Sequence, residues 1–573
     1  MYLPSSKVNS IQKNCRVLSL QASSQLSRVC LINELVKHTF GLLQRQQELV
    51  GLFLRKLPKI MTKEGVTIPQ YFAGKHVFIT GGTGFMGKVL IEKLLRSCPD
   101  VSKVYVLVRE KKGKSPDERV RVMTDVALFD RLKKENPENL KKIVPIYGNV
   151  TELGLGINSE SKKLLIENVN IVYHAAASVR FDDSLRDAIL MNTRGTREVV
   201  YLALEMERLE VLAHFSTTYC NTDRKEIGEQ MYPPHADWRE AITLAENGDP
   251  HVLDILTQKY MGELPNTYTF AKSLAEHVVN DLCSGRIPSI IFRPSIVIST
   301  VKEPMPGWID NFNGPVGILI ASGKGILRSI YTNPNVTADY VPVDLVTKGI
   351  IIATWLKGLE AKEEEKLTLS VYNASNNNIN NVTVGGLVEL GRKLCWDYPL
   401  NDILWYPNGS VTQCYVYHFL RLIFYHILPA ILIDGILKIT GHQPMLLRIQ
   451  RKIYIANMAL QYFITQDWKF INEKTSDLEN KLLPPDKENF YYDKDRVVPY
   501  EYFTKALYGA RQYLLKEDIS TFDRAKTHSK RMWVLSKICN GLAYAGLFYL
   551  IFVKYDIFGR LCRLIVAYFD SLG

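Results

Sequence analysis

Tyr268 and Lys272 fall at positions i and i+4 in the stretch NTYTFAKSLAEHVV, so a helix puts a phenol and an ammonium on one face. A cation beside a phenol favours the phenolate and lowers its pKa from the ordinary value of about 10. The pair can therefore hand a proton to a carbonyl oxygen. A hydroxyl that shares this oxygen would complete the set. The apolar run at residues 211–220, VLAHFSTTYC, ends in Ser216, Thr217 and Thr218. Thr217 is the partner expected, with Ser216 and Thr218 left open. Such a trio binds and protonates a carbonyl, which is half of a reduction.

The other half needs a hydride donor, and residues 75–88, KHVFITGGTGFMGK, have the form of a site for one. A short apolar strand runs into Thr80 and a turn holding Gly81, Gly82, Thr83, Gly84, Phe85, Met86 and Gly87, then into the helical pattern VLIEKLL. Glycines let backbone turn with positive φ and approach a phosphate, and the helix N-terminus offers free N–H groups and a positive dipole end. The strand and helix around the glycines make this a dinucleotide site rather than a plain turn. About 22 residues past Gly87, where a carboxylate would hold a ribose 2′-hydroxyl, stands Arg109. Its guanidinium can grip a 2′-phosphate bidentately, which favours NADPH, although Glu110 is one step away.

These residues need a sheet to hold them. Strand-like runs at 104–109, 144–150, 171–181 and 211–220 alternate with helical patterns, as a doubly wound parallel α/β sheet requires. Ala175 and Ala176 at the end of the fourth run suit close approach of a cofactor, or tight helix packing. Asn192 interrupts an apolar stripe, where it bridges strand edges, holds a catalytic water or serves structure alone. Residues 223–265, rich in Pro, Glu and Asp, read as an insertion.

At 573 residues the chain exceeds one ordinary core, and 46% apolar with 23% charged residues is a globular composition. The net charge of +12 suits phosphorylated cofactors, coenzyme A or an anionic membrane face, and no nucleic-acid module is visible. Nine scattered cysteines, none in a CxxC pair, read as reduced cytosol-facing thiols, neither disulfides nor a metal site.

TGGTGFMG, HFSTTY and YTFAK together resemble the extended short-chain dehydrogenases. AASVRFDD (176–183), RPSIV (293–297), EPMPGWIDNFNGPVG (303–317), GKGILR (323–328), YVPVD (340–344) and YGARQYLLKE (508–517) narrow the resemblance to the alcohol-forming fatty acyl-CoA reductases. It covers roughly residues 65–520. The resemblance implies a Rossmann-type domain and a helical C-terminal domain. It implies reduction of a fatty acyl-CoA to a primary alcohol by two NADPH, with CoA released. It carries cofactor contacts onto Asn149, Val150, Ala175, Ala176, Asn192, Arg293, Pro294, Ser295 and Ile296, besides the glycine turn, Tyr268 and Lys272. Asn149 stands where the family more often has Asp, and Thr218 where Ala is usual. A reductase that stops at the aldehyde, a sugar-nucleotide epimerase or steroid dehydrogenase, and a non-catalytic NADPH-binding scaffold are the competing readings.

The expected organisation is an extension at 1–70, the reductase domain at 71–370, a C-terminal domain at 371–520 and a membrane anchor at 530–573. The basic, acid-poor opening resembles a transit peptide, but reads better as an extension ahead of Met61. Residues 360–366, EAKEEEK, read as a solvated linker or helix end. Residues 415–440 are strongly apolar but broken by Arg421, His426, Pro429 and Asp434, so they read as helices lining an acyl tunnel, lying on a bilayer or filling a core. Residues 538–553 rise about 24 Å as a helix, short of a bilayer core of about 30 Å; counting from Met532 suffices if Lys537 snorkels. The final Ser-Leu-Gly is not a peroxisomal address. The expectation is an endoplasmic-reticulum membrane protein with its catalytic domain in the cytosol.

Overall fold

Alternate residues of the first strand feed two different cores, and the architecture follows from that. In the computed structural model, β1 (His76–Thr80) sends Val77 and Ile79 to one face and Phe78 to the other, all fully buried. A parallel strand covered on both faces reads as a continuous apolar run, which is why VFI shows no alternation. Seven such strands form one parallel sheet in the spatial order β3-β2-β1-β4-β5-β6-β7. The others are β2 (Lys103–Val108), β3 (Ile143–Tyr147), β4 (Ile171–His174), β5 (Val211–Phe215), β6 (Ser289–Pro294) and β7 (Leu369–Ala374). This is the doubly wound order, whose direction reverses between β1 and β4 and opens a ligand crevice at the strands' carboxyl ends.

The structure describes residues 65–312, 315–337, 339–361, 367–376, 382–491, 497–554 and 557–570. Most of the extension expected at 1–70, and most of the charge run at 360–366, lies outside them. The described residues form one unit from Gly65 onward. A short helix, Ile68–Phe72, buries Ile68, Tyr71 and Phe72 in the sheet's core, so the reductase domain begins before residue 71. Helices α1 (Phe85–Ser97) and α6 (Val343–Glu360) cover one face of the sheet. α3 (Gly195–Glu205) and α4 (Thr267–Cys283) cover the other.

Three expectations change. The fourth strand stops at His174 rather than running to 181, because residues 175–180 leave the sheet to pass over the crevice. The insertion at 223–265 contains two helices, Trp238–Asn247 and Pro250–Met261. The first buries Trp238, Ala241, Ile242 and Ala245 against Phe270, Leu274 and Val278 of α4. The boundary expected at 370 falls inside β7, which pairs with β6 along its length. The later region is tied into this edge. Glu229 accepts hydrogen bonds from the Asn373 and Thr475 backbone N–H groups at 3.0 Å and from the Thr475 hydroxyl at 2.8 Å.

Beyond β7 the chain is mainly helical: α7 (Val384–Asp397), α8 (Tyr415–Leu422), α9 (Leu428–Ile439), α10 (Leu446–Ile464) and α11 (Pro499–Gly509). The polar residues that break 415–440 are each engaged. Arg421 donates to the Arg328 carbonyl, and His426 accepts from the Arg328 N–H at 3.0 Å. Asp434 caps the start of α10, accepting from the N–H groups of Met445, Leu446 and Leu447 at 2.9 Å. The apolar side chains between them, including Phe419, Phe424, Leu432 and Ile436, are exposed.

α12 (Phe522–Phe548) and α13 (Ile557–Asp570) end the chain. Among the described residues, two helical stretches are long and apolar enough to cross a membrane by length and composition: Tyr415–Ile439, of 25 residues, and Ile519–Phe552, of 34. The second rises about 50 Å, beyond the roughly 30 Å of a bilayer core. Alkaline carbonate washing of membranes carrying the full chain is expected to leave it in the pellet; release to the supernatant would refute stable insertion.

Candidate active site

The glycine turn is forced by close contacts. Gly81 has φ +74°, and a Cβ there would stand 2.6 Å from the Ala175 carbonyl carbon. A Cβ on Gly87 would lie 2.3 Å from the Gly81 oxygen. Both are far inside van der Waals contact, so only glycine lets β1, the turn and α1 pack this closely. The Gly84 N–H donates to the Gly81 carbonyl at 2.9 Å, closing the turn just before α1. Thr80 locks the neighbouring strand end: its hydroxyl hydrogen-bonds His174 Nδ1 at 2.7 Å, and His174 Nε2 reaches the Thr196 hydroxyl on α3 at 2.9 Å. Phe85 stacks on Trp308 at 5.5 Å and Met86 packs on the core.

A cleft of about 300 Å³ lies over this turn, edged by Gly81, Thr83, Gly84, Arg109, Asn149, Val150, Ala175 and Ala176. Glycine and alanine leave room for a pyrophosphate, and the exposed Arg109 begins where β2 ends. The residues present thus fit a dinucleotide. Sequence reasoning missed Arg119, on α2 (Pro116–Thr124), which also edges the cleft. Its guanidinium donates to the Thr83 hydroxyl at 3.1 Å and to the Arg109 carbonyl at 2.5 Å. Burial and the Arg109 charge both lower its pKa. No spacing from the glycines would have found it, since a whole strand and loop intervene. Asn149 uses its side-chain oxygen on the Thr151 N–H at 3.3 Å and its amide on Glu152 at 3.2 Å. Asn192 closes on Ser178, accepting from its N–H at 2.8 Å and donating to its carbonyl at 3.1 Å. Of its expected roles, the one seen is to clasp the loop after β4.

Tyr268 and Lys272 share one face of α4, as their spacing requires, and the carboxyl end of β5 faces them. The Thr217 hydroxyl lies beside the Tyr268 phenol and lowers its pKa, while accepting from the Tyr219 N–H at 3.2 Å. Ser216 is turned toward Cys220 and Glu276, while the Thr218 hydroxyl is buried with no hydrogen-bond partner. Of the three hydroxyls, that of Thr217 is the one beside the phenol. Lys272, 2% exposed, donates to the Phe215 carbonyl at 2.6 Å.

The electrostatics differ from the expectation of a depressed phenol. Burial pushes the Tyr268 pKa above its ordinary value, with the Cys220 thiol adding to the rise and Thr217 opposing it. Burial likewise pulls Lys272 down to about 8, with Glu276 opposing. Desolvation is the largest cause at both groups.

One turn beyond Lys272, Glu276 forms a two-pronged ion pair with Arg293 on β6, at 2.7 Å for both contacts. Arg293 is 0% exposed and also donates to the Gly228 carbonyl. Its guanidinium is thus committed to the protein, although the resemblance placed it among the cofactor contacts. Ser295 donates to Asp339 at 2.8 Å, and Pro294 and Ile296 continue the backbone where β6 gives way to the two-strand pair 296–298 and 340–342.

A family profile described as "Male sterility protein" matches residues 79–350, and a second of the same description matches residues 425–517. The chain is 40% identical to fatty acyl-CoA reductase 1 of Xenopus laevis over 467 residues, which cover 82% of this chain and 90% of that one. It belongs to the fatty acyl-CoA reductase family. The human fatty acyl-CoA reductase 1 is 39% identical over the same shares. The Drosophila melanogaster fatty acyl-CoA reductase wat is 36% identical, covering 84% of this chain and 92% of its own. Among solved structures, the terminal R domain of the myxalamid biosynthetic pathway superposes with a TM-score of 0.51 at 19% identity. It covers 76% of this chain and 90% of its own, and it supports the fold. Membership of this family and the fitted cleft make the protein an oxidoreductase using a nicotinamide cofactor.

Proposed function

We propose that the protein reduces long-chain fatty acyl-CoA to the primary alcohol with NADPH, releasing CoA through an aldehyde-level intermediate. The observation that carries this is the meeting of Thr217, Tyr268 and Lys272 at the end of β5, in a chain of this family. In the cleft the glycine turn would hold the pyrophosphate of NADPH and Arg109 and Arg119 its 2′-phosphate, and the group would supply hydride for the thioester carbonyl carbon.

The protein's own groups handle the oxygen. Thr217 and Tyr268 stand ready to donate to it as negative charge builds, so little reorganisation is needed at that moment. A phenol raised in pKa stays protonated across the working range, which is the state a proton donor needs. Once its proton has moved to the oxygen, the Lys272 ammonium opposes the phenolate charge. Collapse of the hemithioacetal breaks the carbon–sulfur bond, and its hydroxyl proton leaves with the sulfur as CoA thiol. Once the Tyr268 phenolate has taken a proton from solvent and a second NADPH has replaced the oxidised cofactor, the aldehyde presents its carbonyl to the same residues for the second reduction.

The paired arginines support NADPH over NADH, since each hydrogen bond to a charged group contributes about 1.5–3 kcal/mol. The buried free thiols Cys98, Cys220 and Cys283 suit a cytosol-facing catalytic domain, and the apolar C-terminal helices suit the endoplasmic-reticulum membrane.

Tyr268→Phe should abolish alcohol formation from acyl-CoA and NADPH in a fold of unchanged thermal stability; undiminished product would sink the assignment. With Lys272 at about 8, its ammonium is lost as pH rises through that value, so kcat should decline above about pH 8. A flat profile from pH 7 to 9 would remove Lys272 from the chemistry. Arg109→Ala with Arg119→Ala should raise the KM for NADPH by about a hundredfold or more and change that for NADH little; equal effects on both would argue against 2′-phosphate recognition.

A further inference from the structure

An apolar cavity of about 150 Å³ lies in the helical region beyond the sheet, walled by α5 (Pro315–Gly323), α7 and α11. One part of its lining is Ile298, Tyr340 and Ile464. Aromatic rings run from the active site to the neighbours of these residues in the chain. The Tyr268 ring lies 5.7 Å from Phe181, and Phe181 lies 5.3 Å from Phe463, the residue before Ile464. Ile298 is likewise two residues beyond Ile296, which packs in the same aromatic cluster. Another part runs along α7, where Val384, Val388, Gly391 and Cys395 recur at helical spacing on one face. Polar groups at the edge are turned to other partners: Ser299 to Tyr502 at 3.1 Å, Ser329 to His418 at 3.0 Å, and Arg392 to the Gly409 carbonyl at 2.7 Å. What lines the space is mostly hydrocarbon, with the Ser410 hydroxyl the exception, buried there without a hydrogen-bond partner.

We infer that this cavity takes the alkyl tail of the substrate, with the thioester at Tyr268, and that Gly391 on α7 sets how many methylenes fit. This rests on the acyl-thioester reading above. A linear hydrocarbon attached to a reducible carbonyl is the ligand that an apolar pocket beside a phenol donor can hold, because it gains by burial and leaves no polar group unpaired. Gly391 is the point of control because nothing else fills its place. A Cβ there would meet only Leu319 Cδ2, at an ordinary contact distance of 3.9 Å. A larger side chain therefore grows into the cavity rather than into the protein. By contrast, a Cβ at Gly323 would already press on Leu400 at 3.1 Å, so that wall is full. Gly391 also sits inside a helix, where glycine is unfavourable relative to other residues, so its replacement does not oppose the fold.

The test measures kcat/KM of the full-length protein in membranes across a series of saturated acyl-CoAs from medium to very long chain, with NADPH. Gly391→Leu should leave the shortest substrates at wild-type values and lower kcat/KM about fourfold for each methylene that no longer fits. Gly386→Leu, at an exposed position on the same helix, should leave the whole profile unchanged. Should Gly391→Leu fail to accumulate as folded protein, Val388→Phe narrows the same face and should give the same shift. A folded narrowing variant whose length profile matches wild type overturns the proposal while leaving the reaction intact. A wild type inert toward every acyl-CoA brings down the reaction and this proposal together.

Discussion

The buried pair between Glu276 and Arg293 fixes the active site to the sheet. Arg293 is a residue of β6, and Glu276 stands on α4 two turns beyond Tyr268, so one ion pair sets the helix's height and rotation over the strands. The adjacent strand β5 then brings Thr217 opposite Tyr268, because Phe215 pairs with Phe292, the residue before Arg293. Burial alone would raise the Glu276 carboxyl, but Arg293 overrides it and holds the carboxylate ionised. Two charges sealed from water are costly unless both are fully paired, and removing one partner of such a pair typically costs about 3–5 kcal/mol. A weaker, exposed contact would let α4 slide, and a shift of an ångström would separate the hydroxyls that must share one oxygen.

The glycine turn depends on a different constraint, simple lack of space. Gly81 and Gly87 are legible in the sequence because close approach has only one residue that satisfies it. Tyr268 and Lys272 are legible because helical spacing is a property of the chain alone. The strand order was implied by the alternation of apolar runs and helices. In each case the information is local, carried by neighbours within a few residues.

What escaped reading is carried by contacts between distant segments. Arg119 reaches Thr83 across a strand and a loop. Glu276 looked like an ordinary helix residue until Arg293 arrived from β6. The insertion at 223–265 hides its two helices because its Pro, Glu and Asp residues sit at helix starts and on exposed faces, while Trp238, Ala241 and Ile242 turn inward. Tyr415–Ile439 was ambiguous for the same reason. Its polar residues looked like interruptions, but Asp434 spends its charge on capping α10 and Arg421 on the Arg328 carbonyl. Paired in this way, they leave the helices' apolar faces exposed without placing an unpaired charge among them.

The reversed shift at Tyr268 shows why spacing alone misleads about electrostatics. The i, i+4 relation puts the ammonium and phenol on one face, and in water that proximity would favour the phenolate. Here the same burial that brings them together strips both of solvent, which favours the neutral phenol and the neutral amine. Glu276 opposes the second effect, keeping Lys272 near 8 rather than lower. The result is a donor that holds its proton until charge develops on a neighbouring oxygen, and a cation poised to respond when it does. Charge appearing at the phenol sits in a medium that screens poorly, so a cation on the same helix face matters most after the proton has left. The ion pair one turn away is therefore part of the proton chemistry as well as of the fold.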